Sequence, residues 1–435
     1  MQHEIPVDRI GPAGPAMRDA IAACVHCGFC LPSCPTYQEL GQEMDSPRGR
    51  IYLMKEVLEG KLDPARAQPH IDRCLGCLAC VSSCPSGVAY QHLLSPYRAY
   101  VKPSVKRPLL ERLRRHLAMQ VIPYPGRFRL ALRGGRLLRR LDSCLPAALR
   151  PMLRLLPGEL PPALRLRARY PAQGQRRARV ALLAGCAQQV LAPAINRATI
   201  EVLTRNGVEV IVPPLQGCCG ALAWHSGEAA QARRQARRTL RHFAIDVDAV
   251  IVNAAGCGSG MHEYPLLLRG DPAEAAAQSL AGRVVDIAVF LDRLGIEPPP
   301  APPRPLRIAY HDACHLSHGQ QVRAAPRRLL SAIPDVELVE LHDGERCCGS
   351  AGIYNLEQPE IAGALGARKA AAVHATACDL LATGNIGCIA QIRAHLAAPH
   401  APAVLHTIEV LAAAYAGSLA PIAAHPGVAP SGASS

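Results

Sequence analysis

Sixteen of the eighteen cysteines fall into four sets whose spacing suits metal chemistry better than packing. The first is Cys24-Val-His-Cys27-Gly-Phe-Cys30-Leu-Pro-Ser-Cys34-Pro35. The second is Cys74-Leu-Gly-Cys77-Leu-Ala-Cys80-Val-Ser-Ser-Cys84-Pro85. Each reads C-x2-C-x2-C-x3-C-P, the spacing that holds a pair of 4Fe–4S cubanes. In that pattern three cysteines of a run wrap one cubane and the fourth reaches across to the other. One cluster is therefore expected on Cys24, Cys27, Cys30 and Cys84, and the other on Cys74, Cys77, Cys80 and Cys34. Zinc also takes C-x2-C pairs, but one ion needs two pairs, not four thiols with a trailing proline, twice over. A chain so equipped moves electrons one at a time.

The other two sets are Cys186, Cys218, Cys219 and Cys257, then Cys314, Cys347, Cys348 and Cys388. The second copy follows the first by 128, 129 and 131 residues at its three positions, so the module is duplicated. Strands are expected at 179–184, 208–212 and 249–253, and again at 306–310, 336–341 and 378–383, each followed by a cysteine and a helix. That alternation predicts two parallel α/β layers. Loops at the carboxyl ends of such strands collect ligands, and four thiols meeting there suit a metal cluster. Buried thiols that merely pack are the plain alternative, but an adjacent pair repeated in both copies argues against it. Cys144 and Cys378 lie outside these patterns and read as core thiols. His225, His311, His315 and His318 sit beside the cysteines; each reads first as a satisfied, partly buried histidine.

Other elements must hold these sets in place. Residues 1–100 are expected to form an all-α ferredoxin domain. Ser46 and Pro47 look like the cap and first residue of a helix running from Arg48 to Glu59, stopped at Gly60. Residues 101–175 form a basic helical linker, with twenty Lys and Arg against three acids between Lys102 and Arg179, while the rest of the chain is close to neutral. Leu109, Leu110, Leu113 and Leu117 alternate there with Arg112, Arg114 and Arg115, which predicts an amphipathic helix packed on its neighbours. A second is expected over 128–141, broken at Gly134-Gly135, then a mobile Pro/Arg-rich section over 157–177. The modules occupy 176–300 and 301–415, joined by a proline-rich stretch from Gly295 to Pro305, and 416–435 reads as a disordered tail. The fold class is thus a helical ferredoxin domain followed by duplicated α/β Cys-Cys-Gly modules.

Composition narrows the function. Aromatic residues make up 4% of the chain, with Trp224 the one tryptophan, too few for the stacking platforms of single-strand nucleic-acid binding. The +14 net charge resides in the linker, where leucine stripes beside arginine favour a membrane surface or a partner over DNA. No signal peptide or spanning segment is expected, and thiols used as ligands fit the cytoplasm. No G-x-G-x-x-G follows a strand, so flavin or nicotinamide chemistry is expected elsewhere.

The first run with its continuation Pro35-Thr-Tyr37, and Asp45-Ser-Pro-Arg-Gly-Arg-Ile-Tyr52, resemble the iron–sulfur subunit of bacterial glycolate oxidase (glycolate dehydrogenase). So do Cys84-Pro-Ser-Gly-Val88, His311-Asp-Ala-Cys-His315, Cys347-Cys-Gly-Ser-Ala-Gly352 and Thr383-Gly-Asn-Ile-Gly-Cys388. The resemblance implies an electron-transfer subunit beside a separate FAD-containing subunit that oxidises glycolate to glyoxylate. It implies delivery to the membrane quinone pool from the inner face of the cell membrane. Equivalent subunits for lactate, other 2-hydroxy acids or glycerol-3-phosphate are the alternative. Heterodisulfide-reductase-like relatives carry a fifth thiol per module in a closing C-x2-C. Here Gly260 and Gln391 stand in its place, so the five-thiol cluster of those relatives does not carry over.

Overall fold

The computed structural model describes residues 3–138, 156–396 and 401–419. Among the described residues up to 138 every regular element is helical. Ser46 Oγ accepts a hydrogen bond from Gly49 N at 3.0 Å, and Pro47 opens the helix Pro47–Leu58, as the capping residues require. Its buried Ile51, Met54 and Val57 join Met17 and Ile21 of the helix Gly14–Ala22 and Leu93, Leu94 and Tyr97 of the helix Gln91–Val101 in one N-terminal core. Burying each such side chain contributes about 1.5–3 kcal/mol.

The basic segment departs from expectation in three ways. The helix Leu109–Val121 forms, but with its leucines outward: Leu109 is 78% exposed and Leu110 73%, while Arg115 turns inward and Arg112 stays exposed. Arg107 is bidentate on Asp72 at 2.7 and 2.9 Å, and Arg115 reaches Glu357 at 3.2 Å. Half-buried carboxylates require cations, and that requirement outranks the leucine pattern. The helix Pro125–Leu138 passes unbroken through Gly134 and Gly135, since two glycines cost only about 1 kcal/mol each; the expected end at 141 lies outside the described residues. The stretch expected to be mobile contributes strand β1 (Arg169–Tyr170), held by ion pairs from Arg169 and Arg176 to the buried Glu209.

The first module is a sheet of β2 (Ala178–Leu183), β3 (Val208–Ile211), β4 (Ala249–Val252) and β5 (Val284–Asp286), in the order β1-β3-β2-β4-β5. All pairs are parallel except β1 with β3. The second is β6 (Leu306–His311), β7 (Val336–Glu340), β8 (Leu380–Thr383) and β9 (Ala403–His406), fully parallel in the order β7-β6-β8-β9. Each copy thus has a fourth parallel strand that the three-strand expectation missed. β5 is three residues long, and both strands run straight into a capped helix, through Asp286 and His406. The helices Ala194–Arg205 and Thr407–Tyr415 pack on each other, and one apolar core includes strands of both sheets. Cys378 lies two residues before β8 and is half-buried against that core rather than within it. Cys144 and residues 420–435 lie outside the described residues, and Leu419 is buried.

Candidate metal centres

The first C-x2-C-x2-C loop leaves the helix Gly14–Ala22 and curls round an open space of about 410 Å³. Cys24, Cys27, Cys30 and Cys84 line it, with Ile51, Val88 and Tyr90 as apolar wall. The second loop bounds a space of about 320 Å³ lined by Cys34, Cys74, Cys77 and Cys80. The spacing therefore meets its expected grouping in space, each run lending its last cysteine to the other loop. Cys80, Pro47 and Tyr90 line both spaces, which lie wall to wall.

Both loops fold alike. His26 and Gly28 in the first, and Gly76 and Leu78 in the second, hold the same two positions at positive φ, between 55° and 89°. For His26 and Leu78 this is strained backbone, which costs roughly 1–2 kcal/mol each. Gly76 N donates to Cys74 Sγ at 3.4 Å and Val88 N to Cys84 Sγ at 3.5 Å. Burial pushes the Cys30 thiol up to about 11 and also raises Cys77 and Cys80, so these thiols stay protonated until a metal takes them.

Two arginines in the first turn of the helix Pro47–Leu58 serve the two loops separately. Arg48 donates to His26 O at 3.1 Å. Arg50 is 1% exposed and donates to His70 O at 2.7 Å, Thr36 Oγ1 at 2.9 Å and Cys34 Sγ at 3.7 Å, opposite Asp45. Burial lowers its pKa, but Cys74, Tyr90, Cys34 and Asp45 outweigh that and raise it above the ordinary value. A fixed cation beside four thiols favours anionic occupants. In the sequence Arg50 stands within the Asp45–Tyr52 motif, and the signal for its role is an arginine on the apolar face of a helix, with Met54 and Val57 following at helical spacing.

In the modules all four cysteines of each set follow strand ends. Cys186 follows β2, Cys218 and Cys219 follow β3, and Cys257 lies on the helix that follows β4; Cys314, Cys347, Cys348 and Cys388 repeat this after β6, β7 and β8. Cys186 and Cys218 sulfurs lie 3.5 Å apart. Cys218 and Cys257 hold the Cys219 thiol well below its ordinary value, and Cys347, Cys388 and His311 do the same for Cys348. The missing fifth thiol has a steric reason in the first copy. A Cβ on Gly260 would sit 2.4 Å from Ala221 Cβ.

Residues 20–88 match the family described as 4Fe-4S dicluster domain, and residues 180–262 and 308–393 each match the one described as cysteine-rich domain. The glycolate oxidase iron-sulfur subunit of Escherichia coli (strain K12) is 38% identical over 398 residues, spanning 90% of this chain and 93% of that one. The chain belongs to the glycolate oxidase iron–sulfur subunit family. A probable member from Bacillus subtilis (strain 168) is 39% identical over 85% of this chain and 88% of its own. Lactate utilization protein A of Geobacillus kaustophilus is 32% identical over 54% of this chain and 98% of its own. A hypothetical protein from Helicobacter pylori shares the fold, with a TM-score of 0.51 at 8% identity over 93% of this chain and 72% of that one.

This member of the glycolate oxidase iron–sulfur subunit family is an iron–sulfur electron-transfer subunit, and its residues fit the group. Eight thiols wall two adjoining spaces, with N–H groups on sulfur and apolar cover. The histidines correct the expectation that each is satisfied. His318 is, through Ser82 Oγ at 2.9 Å and Glu345 O at 3.3 Å. His311 Nε2 and His315 Nδ1 are buried with no nitrogen or oxygen partner among the described residues, and His225 Nε2 has only an ion-pair contact. The His225 and His315 rings lie with centres 5.1 Å apart, tilted by 32°, where the modules meet, and burial then His225 push His315 down to about 4. Glu263, held by Trp224 Nε1 at 2.6 Å, lies 3.4 Å from His225 Nε2.

Proposed function

We propose that the chain is the electron-transfer subunit of a glycolate dehydrogenase. A separate FAD-containing subunit oxidises glycolate to glyoxylate, and this subunit relays its electrons toward the quinone pool. The observation that carries the reading is the pair of four-thiol spaces sharing the wall of Cys80. Cys24, Cys27, Cys30 and Cys84 would hold one 4Fe–4S cluster, and Cys34, Cys74, Cys77 and Cys80 the second. The two Cys-Cys-Gly sets, Cys186, Cys218, Cys219, Cys257 and Cys314, Cys347, Cys348, Cys388, would hold further iron–sulfur centres. Such groups supply one-electron acceptance, which lets a two-electron donor empty stepwise.

The chain's own residues set direction. Cys27 is exposed, and Val25 and Phe29 beside it are 67% and 68% exposed, an apolar patch at the first space where the flavoprotein would dock. Cys34, Cys74 and Cys77 are buried, and Cys77 shares an apolar cluster with Cys347, so the second space abuts the second module. The outward leucines of the helix Leu109–Val121, with Leu130 and Leu137 of the next helix, are rimmed by exposed Arg112, Arg127, Arg133 and Arg136. That face suits peripheral contact with an anionic membrane on the cytoplasmic side. No described helix is long and apolar enough to cross a membrane.

The lactate utilization relatives favour a second reading, the equivalent subunit for lactate or another 2-hydroxy acid. The co-purifying flavoprotein decides between them. Anaerobic addition of glycolate to the complex should bleach the iron–sulfur absorption. Bleaching by lactate but not glycolate would contradict the glycolate assignment.

A further inference from the structure

The two modules are not chemically equivalent. His311 ends β6 three residues before Cys314, fully buried; at the matching place, three residues before Cys186, the first module has Leu183. His311 Nδ1 lies 3.0 Å from Gly344 O. A carbonyl only accepts, so Nδ1 carries the proton and Nε2 keeps its lone pair. Among the described residues Nε2 has no nitrogen or oxygen partner, and the Cys348 thiol is the group it faces. One ligand atom each from His311, Cys348 and Cys388 lie within 4.8 Å of one another. Lys369, itself buried, donates to Asp343 O at 2.7 Å and Gly344 O at 3.3 Å, and so fixes the carbonyl that orients the ring. A histidine tethered through one nitrogen to a backbone carbonyl, with the other bare among thiols, has the arrangement of a metal ligand.

Gln391 offers no rival donor at the place of the missing fifth thiol. Its Nε2 donates to Ala362 O at 3.1 Å and its Oε1 accepts from Asn355 Nδ2 at 3.1 Å. We infer that the second module binds its iron–sulfur centre through nitrogen as well as sulfur, with His311 Nε2 in one ligand position and cysteines in the others, whereas the first module uses sulfur alone. This rests on the reading that the modules carry metal. A neutral imidazole in place of an anionic thiolate raises a cluster's reduction potential. The second module, which shares the apolar cluster of Cys77 and Cys347, is then the more readily reduced of the two.

The test uses the full chain, grown on 15N-labelled histidine and reconstituted with iron and sulfide. Pulsed EPR of the reduced protein should show a 15N coupling that His311→Gln abolishes while the signals of the two N-terminal clusters persist. His311→Cys should keep the iron and lower the midpoint potential of that centre alone. Iron above about eight per chain with no nitrogen coupling, or zinc in place of iron, overturns the role of His311 and leaves the modules as metal sites. Iron that stops at about eight per chain, with no metal in the modules, overturns both that reading and this inference.

Discussion

Ser82 Oγ and His318 Nδ1 lie 2.9 Å apart, a hydrogen bond between the short helix that carries Cys80 and the turn that follows Cys314. Tyr354 OH adds a bond to Arg73 O at 3.0 Å, and Arg98 bridges Cys74 O and His225 O at 2.7 and 2.8 Å. The second thiol space is therefore anchored to both modules by side chains with defined partners.

Removing two of those anchors should loosen the joint without unfolding either part. Ser82→Ala with Tyr354→Phe is expected to cost about 1–3 kcal/mol, at about 0.5–1.5 kcal/mol per bond. Hydrogen exchange should rise around residues 73–84 and in the turn His315–Gly319 while the strands of both sheets stay protected.

Arg50 is the cation on which the second space depends. Arg50→Met leaves Asp45 with Arg73 at 3.1 Å and His70 at 3.2 Å, so the loss should sit near the low end for a broken buried pair, roughly 3 kcal/mol. Denaturant unfolding of the metal-loaded protein measures this. Redox titration should show the cluster on Cys34, Cys74, Cys77 and Cys80 shifted to lower potential, with the other unmoved.

The inverted helix yields a surface prediction. Leu109, Leu113 and Leu117 are each at least half exposed, so changing all three to Gln should alter thermal stability little. Affinity for vesicles containing anionic lipid should fall by about 10–100-fold, the equivalent of about 1.4–2.8 kcal/mol of lost apolar burial. High salt should weaken wild-type binding through the arginine rim.

Asp286 caps its helix through Ala288 N at 2.8 Å, yet burial raises its pKa from the ordinary 3.8 to about 7. The folded state thus holds a proton that the unfolded state has lost. Stability from this group is complete below the unfolded value and falls as pH rises to about 7. Asp286→Asn keeps the cap acceptor and removes the charge. Its melting temperature should exceed wild type at pH 8 and match it near pH 4.

Much of this was legible because it is written in spacing. The two C-P-terminated runs and the 128–131-residue repeat needed only covalent order, and the thiols group as those runs imply. The capped helix Pro47–Leu58 followed from local chemistry at Ser46 and Pro47. What escaped depends on partners far along the chain. Arg115 turns inward because Glu357 waits there, 242 residues away. β1 forms because Glu209 draws Arg169 and Arg176. His311 differs from any buried histidine only through Gly344 O and two distant thiols. β5 is too short to show a period, and its sheet partner Val250 lies 34 residues before Val284.

The proposed relay depends on a crossed pair of 4Fe–4S sites. Iron analysis with EPR of the reduced protein, repeated on Cys84→Ser and Cys34→Ser, tests it most directly. The wild type should hold at least about eight irons with two interacting clusters. Cys84→Ser should disturb the cluster on Cys24, Cys27 and Cys30, and Cys34→Ser the one on Cys74, Cys77 and Cys80. Fewer than about eight irons after full reconstitution, or each substitution disturbing the cluster of its own run, would contradict the account.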